Sequence, residues 1–262
     1  MAKSFKICAA TIILVVAGIF SGLFVSGKEK EGIKIPSYEL SQEPERQHGR
    51  LLQDEDERYI YKVFSYILKN DIEGFVSIPE DVTVEPSRLN VIARSVKEDF
   101  PEYAPDSYRY EYKGDSVVAV KMSSFAGRDK YLSMIEDIKE GLGPSPDFKE
   151  IYDAVLSVLS PKKDGPISYT AYAIFDGISV CDGYAMNLSY LATLYGYDNY
   201  IVKGSNHAWN IVKIDGKWYE FDPTWDDDPV REYKFYSCST EKMAELHGFE
   251  REDMLEGLPI AR

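Results

Sequence analysis

The chain has 262 residues, 44% of them hydrophobic, and a formal net charge of −14. That apolar share can build a sizeable core and excludes wholesale disorder, while the acidic surface repels phosphate backbones and argues against nucleic-acid binding. With three Cys, three His and no CxxC pair, a zinc ribbon and a disulfide-dense scaffold are excluded, and a His-rich metal site is hard to build.

Lys3 and Lys6 open the chain, and a nearly uncharged apolar run follows from Ile7 to Val25. A short basic segment before a long apolar one is the pattern of an export signal. The run is also just long enough to span a bilayer. Residues 1–27 therefore read as a signal peptide or an N-terminal membrane anchor. The bulk of the chain is then secreted or anchored to the outer face of the cytoplasmic membrane. Cys8 starts the run rather than ending it, so a lipoprotein cleavage site does not fit. Residues 28–50 are polar, carry Pro36 and Pro44 and lack an apolar period. They read as a flexible spacer.

Ile60, Val63, Phe64, Ile67 and Leu68 recur at helical spacing within 54–69, and Leu89, Ile92 and Val96 mark a helix after Pro86. Residues 107–112 and 116–122 read as strands about the turn Lys113-Gly114-Asp115. Helices fit 130–140 and 148–159, with Gly141, Gly143, Pro144 and Pro146 between them. Residues 51–145 thus form an accessory α+β region ahead of a C-terminal domain, 146–262.

Asp176-Gly177 marks a turn, and Leu188, Leu191, Leu194 and Tyr195 recur at helical spacing before Gly196. Cys181 then falls at or near a helix N-terminus. Unpaired N–H groups make that end partly positive, which favours the nucleophilic thiolate and could stabilise an oxyanion. A buried inert cysteine and a Cys181–Cys238 disulfide are the alternatives that the residues alone leave open.

Residues 200–203, 208–214 and 217–222 read as strands, and Asp215-Gly216 is a two-residue type I′ hairpin signal. The turn fixes the register: Ile214 faces Lys217, Val212 faces Tyr219, Trp209 faces Asp222 and His207 faces Thr224. Asp222 is then on the face of His207, a diagonal neighbour about 7–8 Å away at the backbone. A carboxylate there fixes the imidazole tautomer and stabilises imidazolium. The plainer reading is a structural His–Asp pair. Pro223 ends the strand.

Taken together, Val180-Cys181-Asp182-Gly183-Tyr184-Ala185, Asn206-His207-Ala208-Trp209-Asn210, Asp215-Gly216-Lys217-Trp218-Tyr219 and Asp222-Pro223-Thr224-Trp225-Asp226-Asp227 resemble the transglutaminase-like superfamily, its bacterial members above all. The likeness covers about 170–247 and takes in Tyr233-Lys234-Phe235-Tyr236 and His247. Upstream, Asp99-Phe100-Pro101-Glu102 is the most suggestive piece of a looser likeness. The resemblance implies an α+β fold with a papain-like core, a nucleophile helix packed on an antiparallel sheet. By position, Cys181 is the nucleophile, His207 the general base and acid, and Asp222 its orienting partner.

The implied activity is thiol-dependent acyl transfer or hydrolysis at amide groups of proteins or peptides, among them surface proteins or wall peptides. Transglutaminases, proteases and amidases share this triad. A non-catalytic peptide- or cell-wall-binding module on the same fold is the alternative. No cofactor or metal is called for. A calcium loop of the Asp-x-Asp-x-Asp-Gly type is absent from the sequence, and Asp226-Asp227-Asp228 reads as a solvated turn. Tyr172 is a candidate oxyanion donor, set against a packed aromatic.

Overall fold

The computed structural model describes Ser21–Phe24 and residues 32–262, apart from positions 115, 229, 253 and 254. Most of the run read as an export signal lies outside the described residues. Its part at Ser21–Phe24 is strand β1. No helix among the described residues is long and apolar enough to cross a membrane.

From position 32 on, the stretch read as a flexible spacer is packed instead. Ile33 bridges to Val76, and Ser37–Ser41 form helix α1, which buries Leu40. Further on, His48 is 1% exposed. Composition concealed this because the segment is held mainly by backbone and side-chain hydrogen bonds, which leave no apolar period.

Asp54 caps helix α2 (Glu55–Lys69) by accepting from the N–H groups of Asp56 and Glu57. Strand β2 (Val76–Ser77) precedes helix α3 (Leu89–Asp99). Strands β3 (Pro105–Lys113) and β4 (Ser116–Ser124) form the expected hairpin, closed at the pair Lys113 and Ser116. The sheet order is β1-β3-β4-β2, with β1 parallel to β3 and the other pairings antiparallel. Helices α2 and α3 lay Ile60, Phe64, Ile92 and Val96 against Tyr108 and Val120 of this sheet. Each such side chain contributes about 1.5–3 kcal/mol by leaving water.

A second core is built from helices α4 (Arg128–Leu142), α5 (Phe148–Val158) and α6 (Cys181–Leu194). Tyr131 and Ile135 of α4 belong to it. The apolar division of the chain therefore falls before α4, earlier than position 145. These helices cover one face of an antiparallel sheet of β5 (Asn199–Gly204), β6 (His207–Ile214) and β7 (Lys217–Phe221), in that order. Ala208 and Val212 face the helices, whereas Trp209 and Ile211 face a third cluster on the other side. That alternation is the period of two of a strand buried on both faces. Helix α7 (Pro223–Asp226) and helix α8 (Thr240–His247) follow, and Met243 of α8 closes the third cluster.

The β6–β7 register is the expected one from Ile214/Lys217 through Val212/Tyr219 to Asn210/Phe221. There the ladder stops. The anticipated pairs Trp209/Asp222 and His207/Thr224 do not form, because Pro223 has no N–H to donate and the chain turns into α7.

Candidate active site

Cys181 is the first residue of α6, and Val180 is its cap. The first-turn N–H groups of Gly183 and Tyr184 are taken by the Val180 carbonyl. Gly183 is required by a close approach: a Cβ there would lie 2.8 Å from the Thr170 carbonyl oxygen. The loop before α6 thereby presses against the helix's first turn and fixes where Cys181 emerges. Cys181 is a partly exposed free thiol and Cys238 a buried free thiol, so the disulfide alternative is not formed. Burial pushes the Cys238 thiol up to about 11, which makes it an inert packing residue at neutral pH.

His207 opens β6, and its Nε2 lies 2.5 Å from Oδ2 of Asp222. The Cys181 thiol lies close enough to the ring to raise its pKa. Nε2 is taken by Asp222, which leaves Nδ1 for the thiol. The three residues read as a triad from sequence are thus brought together. Burial alone depresses the imidazolium of His207. Hydrogen bonds to Asp222 and Cys181, with the charges behind them, more than offset it and raise the ring to about 9.

Asp222 is fully buried and sits at the cap of α7. Its Oδ1 accepts from the N–H groups of Thr224 (3.0 Å) and Trp225 (3.2 Å). Its Oδ2 accepts from His207 and, at 2.8 Å, from Nε2 of His247. Burial would raise this carboxyl, but the two imidazole hydrogen bonds and the imidazole charges hold it below the usual carboxylate range. Four donors converge on one ionised group, so its orientation is fixed from two sides.

His247, the last residue of α8, is a third ring that the sequence reading left without a role. It lies inside an aromatic box: stacked on Phe249 at 4.9 Å and Phe235 at 5.6 Å, edge-on to Trp209 and Trp225. Trp225 also leans on His207, at 5.2 Å, and remains 39% exposed. An exposed aromatic is therefore placed at the mouth of the site. His207, Asp222 and His247 are the one group among the described residues close enough to hold a metal ion. Both imidazoles, however, aim Nε2 at the same carboxylate oxygen within hydrogen-bond distance. That arrangement is complete with protons between the atoms.

The acidic run after the cap is not a solvated turn. Asp226 is buried, accepting from the Tyr152 hydroxyl at 2.7 Å and the Phe235 N–H at 2.9 Å. Asp227 accepts from the Tyr184 hydroxyl of α6, and Asp228 from the N–H groups of Val230 and Arg231. These bonds tie the loop that follows Asp222 to α5 and α6. Tyr172 is a packed aromatic: fully buried, stacked on Phe175, its hydroxyl spent on the Glu102 carbonyl.

Next to Cys181, Asp182 is buried and paired with Lys203 of β5, which also lies 3.7 Å from Glu98 of α3. Burial alone would raise the Asp182 carboxyl, and the charges of Lys203 and Lys97 hold it down. The signal for this lock was present in the block around Cys181, where an acid follows the thiol directly. Its partners are distant in sequence and could not be assigned from spacing.

No protein-family model matches this sequence, and no curated protein does. A solved structure of a TGase (a transglutaminase) overlaps with a TM-score of 0.31 at 12% identity, over 57% of this chain and 50% of that one. This chain thus matches half the length of that structure.

Proposed function

We propose that this protein carries out thiol-dependent acyl transfer or hydrolysis at amide groups of peptides or proteins. The observation that supports it is the contact chain from Cys181 to His207 to a buried, four-donor Asp222. In this reading the Cys181 thiolate attacks a carboxamide carbonyl carbon, and the carbonyl electron pair moves onto oxygen. The free N–H groups of the α6 N-terminus are suited to that oxyanion. The oxyanion collapses, the C–N bond breaks, and His207 delivers its proton to the leaving nitrogen. A thioester on Cys181 remains. An amine resolves it to a new amide, or water to an acid, and either regenerates the thiol. Asp222 orients the imidazole and stabilises its charged form.

The basic and apolar leader supports a site of action outside the cytoplasm, with surface proteins or wall peptides as substrates. The test is mass spectrometry of a glutamine-containing protein incubated with the enzyme, with and without a primary amine. Amine incorporation marks transglutamination, deamidation an amidase, and backbone cleavage a protease. If none occurs, or if Cys181→Ala matches the native protein, the reading fails and the binding-module alternative replaces it.

A further inference from the structure

Asp222 Oδ2 accepts from two imidazoles, and the reaction above uses one of them. The other, His247, has a fully buried side chain. Its box is otherwise aromatic, and its Nδ1 has no hydrogen-bond partner among the described residues. A buried polar atom left unpaired is costly, and phenylalanine would fill the same box without that cost. Among the described residues the one polar contact of the ring is Nε2 to Asp222, at 2.8 Å. An ionised carboxylate only accepts, so the proton of that contact sits on Nε2.

We propose that His247 is a positioning residue: by donating to the Asp222 oxygen that His207 also uses, it aims the carboxylate and limits how strongly Asp222 stabilises the charged His207 ring. This rests on the thiol-transfer reading above. Two donors on one oxygen share its charge, so each is bound less strongly than it would be alone. His207 must take a proton from the thiol at Nδ1 and later give it to a leaving nitrogen. A carboxylate with no second donor would stabilise the imidazolium so strongly that the Nδ1 proton is given up too slowly in the second step.

The charged and titratable groups around His207 are few. Cys181 comes from α6, Asp222 and Asp226 from the start and end of α7, and His247 from α8. On β7, Glu220 is occupied by Trp209 Nε1 and Thr240 Oγ1, with Arg251 3.6 Å away. Glu252 accepts from the Ser205 N–H, two residues before His207. None of these others contacts Oδ2 of Asp222 among the hydrogen bonds of that atom.

The test is the pH dependence of iodoacetamide alkylation at Cys181 in the full chain, read peptide by peptide. In the native protein the rate is expected to rise in two steps, the upper one marking loss of the His207 proton. In His247→Phe the upper step is expected to move to higher pH by roughly one unit, since Asp222 then serves His207 alone. His247→Gln, whose amide nitrogen occupies the place of Nε2, is expected to restore the native profile. A downward or absent shift in His247→Phe, or equal behaviour of Phe and Gln, overturns the proposal. A single ordinary thiol step in the native protein would instead overturn the triad reading itself. If His247→Phe does not fold, nitrogen NMR of the native chain decides. The His247 Nε2–H resonance should move as His207 titrates, and an indifferent resonance refutes the shared acceptor.

Discussion

Replacing Asp222 by Asn removes one charge and converts one acceptor into a donor, with little change in shape. The carboxylate accepts four hydrogen bonds, two from backbone N–H groups and two from imidazoles. An Asn oxygen kept on the backbone side turns its NH₂ toward the imidazoles, so each ring must present a bare nitrogen. For His207 that moves the proton to Nδ1, the nitrogen that should accept from Cys181. The magnitude follows from the imidazole. From an ordinary 6.5 to about 9, the site favours imidazolium by about 3 kcal/mol, at about 1.4 kcal/mol per pH unit.

At pH 7 the native ring is therefore charged by about a hundredfold excess. In Asp222→Asn the opposing effect of burial meets only the contribution of Cys181, and the ring loses much of its preference for the charged form. Alkylation of Cys181 at pH 6 should then slow by roughly tenfold or more, because less imidazolium holds the thiolate. The stability loss has a defined window. Asp222, depressed in the folded state, contributes above its unfolded value and loses that contribution as pH falls. His207, raised in the folded state, contributes fully below about 6.5 and loses it as pH rises through about 9. The difference in melting temperature between native and variant should thus be largest between roughly pH 4 and 6.5. A variant that is destabilised but keeps the native alkylation profile would refute the orienting role and leave a structural pair.

Cys181→Ala should abolish activity with a calorimetric melting temperature within about 2 °C of native, since the residue is partly exposed and Ala suits a helix; retained activity sinks the enzyme reading. His48→Ala should lower stability by about 2–4 kcal/mol in urea titrations, because it leaves the buried Asp99 carboxylate and the Ile201 N–H each short of a partner; a loss under about 1 kcal/mol would show the contact to be dispensable. Gly183→Ala should cost about 1–3 kcal/mol through its clash with the Thr170 carbonyl, measured in the same titration, and a neutral result would mean that the loop gives way without resistance.

What the sequence disclosed and what it hid follow different physics. Helices α2, α3, α5 and α6 were legible because an apolar stripe has a period, and the hairpin because Asp215-Gly216 permits one turn. The register of that hairpin places Asp222 beside His207, though as a diagonal strand neighbour. In fact Pro223 releases the chain, Asp222 becomes a helix cap, and the carboxylate comes within 2.5 Å of the ring. His247 could not be placed because α8 is carried to the site by packing of Met243 and its neighbours, not by any periodic relation to Asp222. The segment before α2 was misread as a spacer because polar locks leave no hydropathy trace.

Those locks also explain how two apolar cores can hold one site in register. Hydrophobic burial is non-directional, so packing α2 and α3 on one sheet does not by itself orient them against the β5–β7 sheet. His48 supplies direction. Nδ1 bonds to Asp99 at the end of α3, and Nε2 accepts from the Ile201 N–H of β5 at 3.1 Å. The neighbouring residue of α3, Glu98, lies 3.7 Å from Lys203 of β5, which pairs with Asp182, the residue after Cys181. Two successive carboxylates of α3 are thereby joined to alternate residues of the strand that leads to His207, and through Lys203 to the first turn of the helix that bears Cys181. A tilt between the cores would strain charged, buried contacts whose loss is expensive. The accessory region is therefore part of the device that sets the distance between thiol and imidazole.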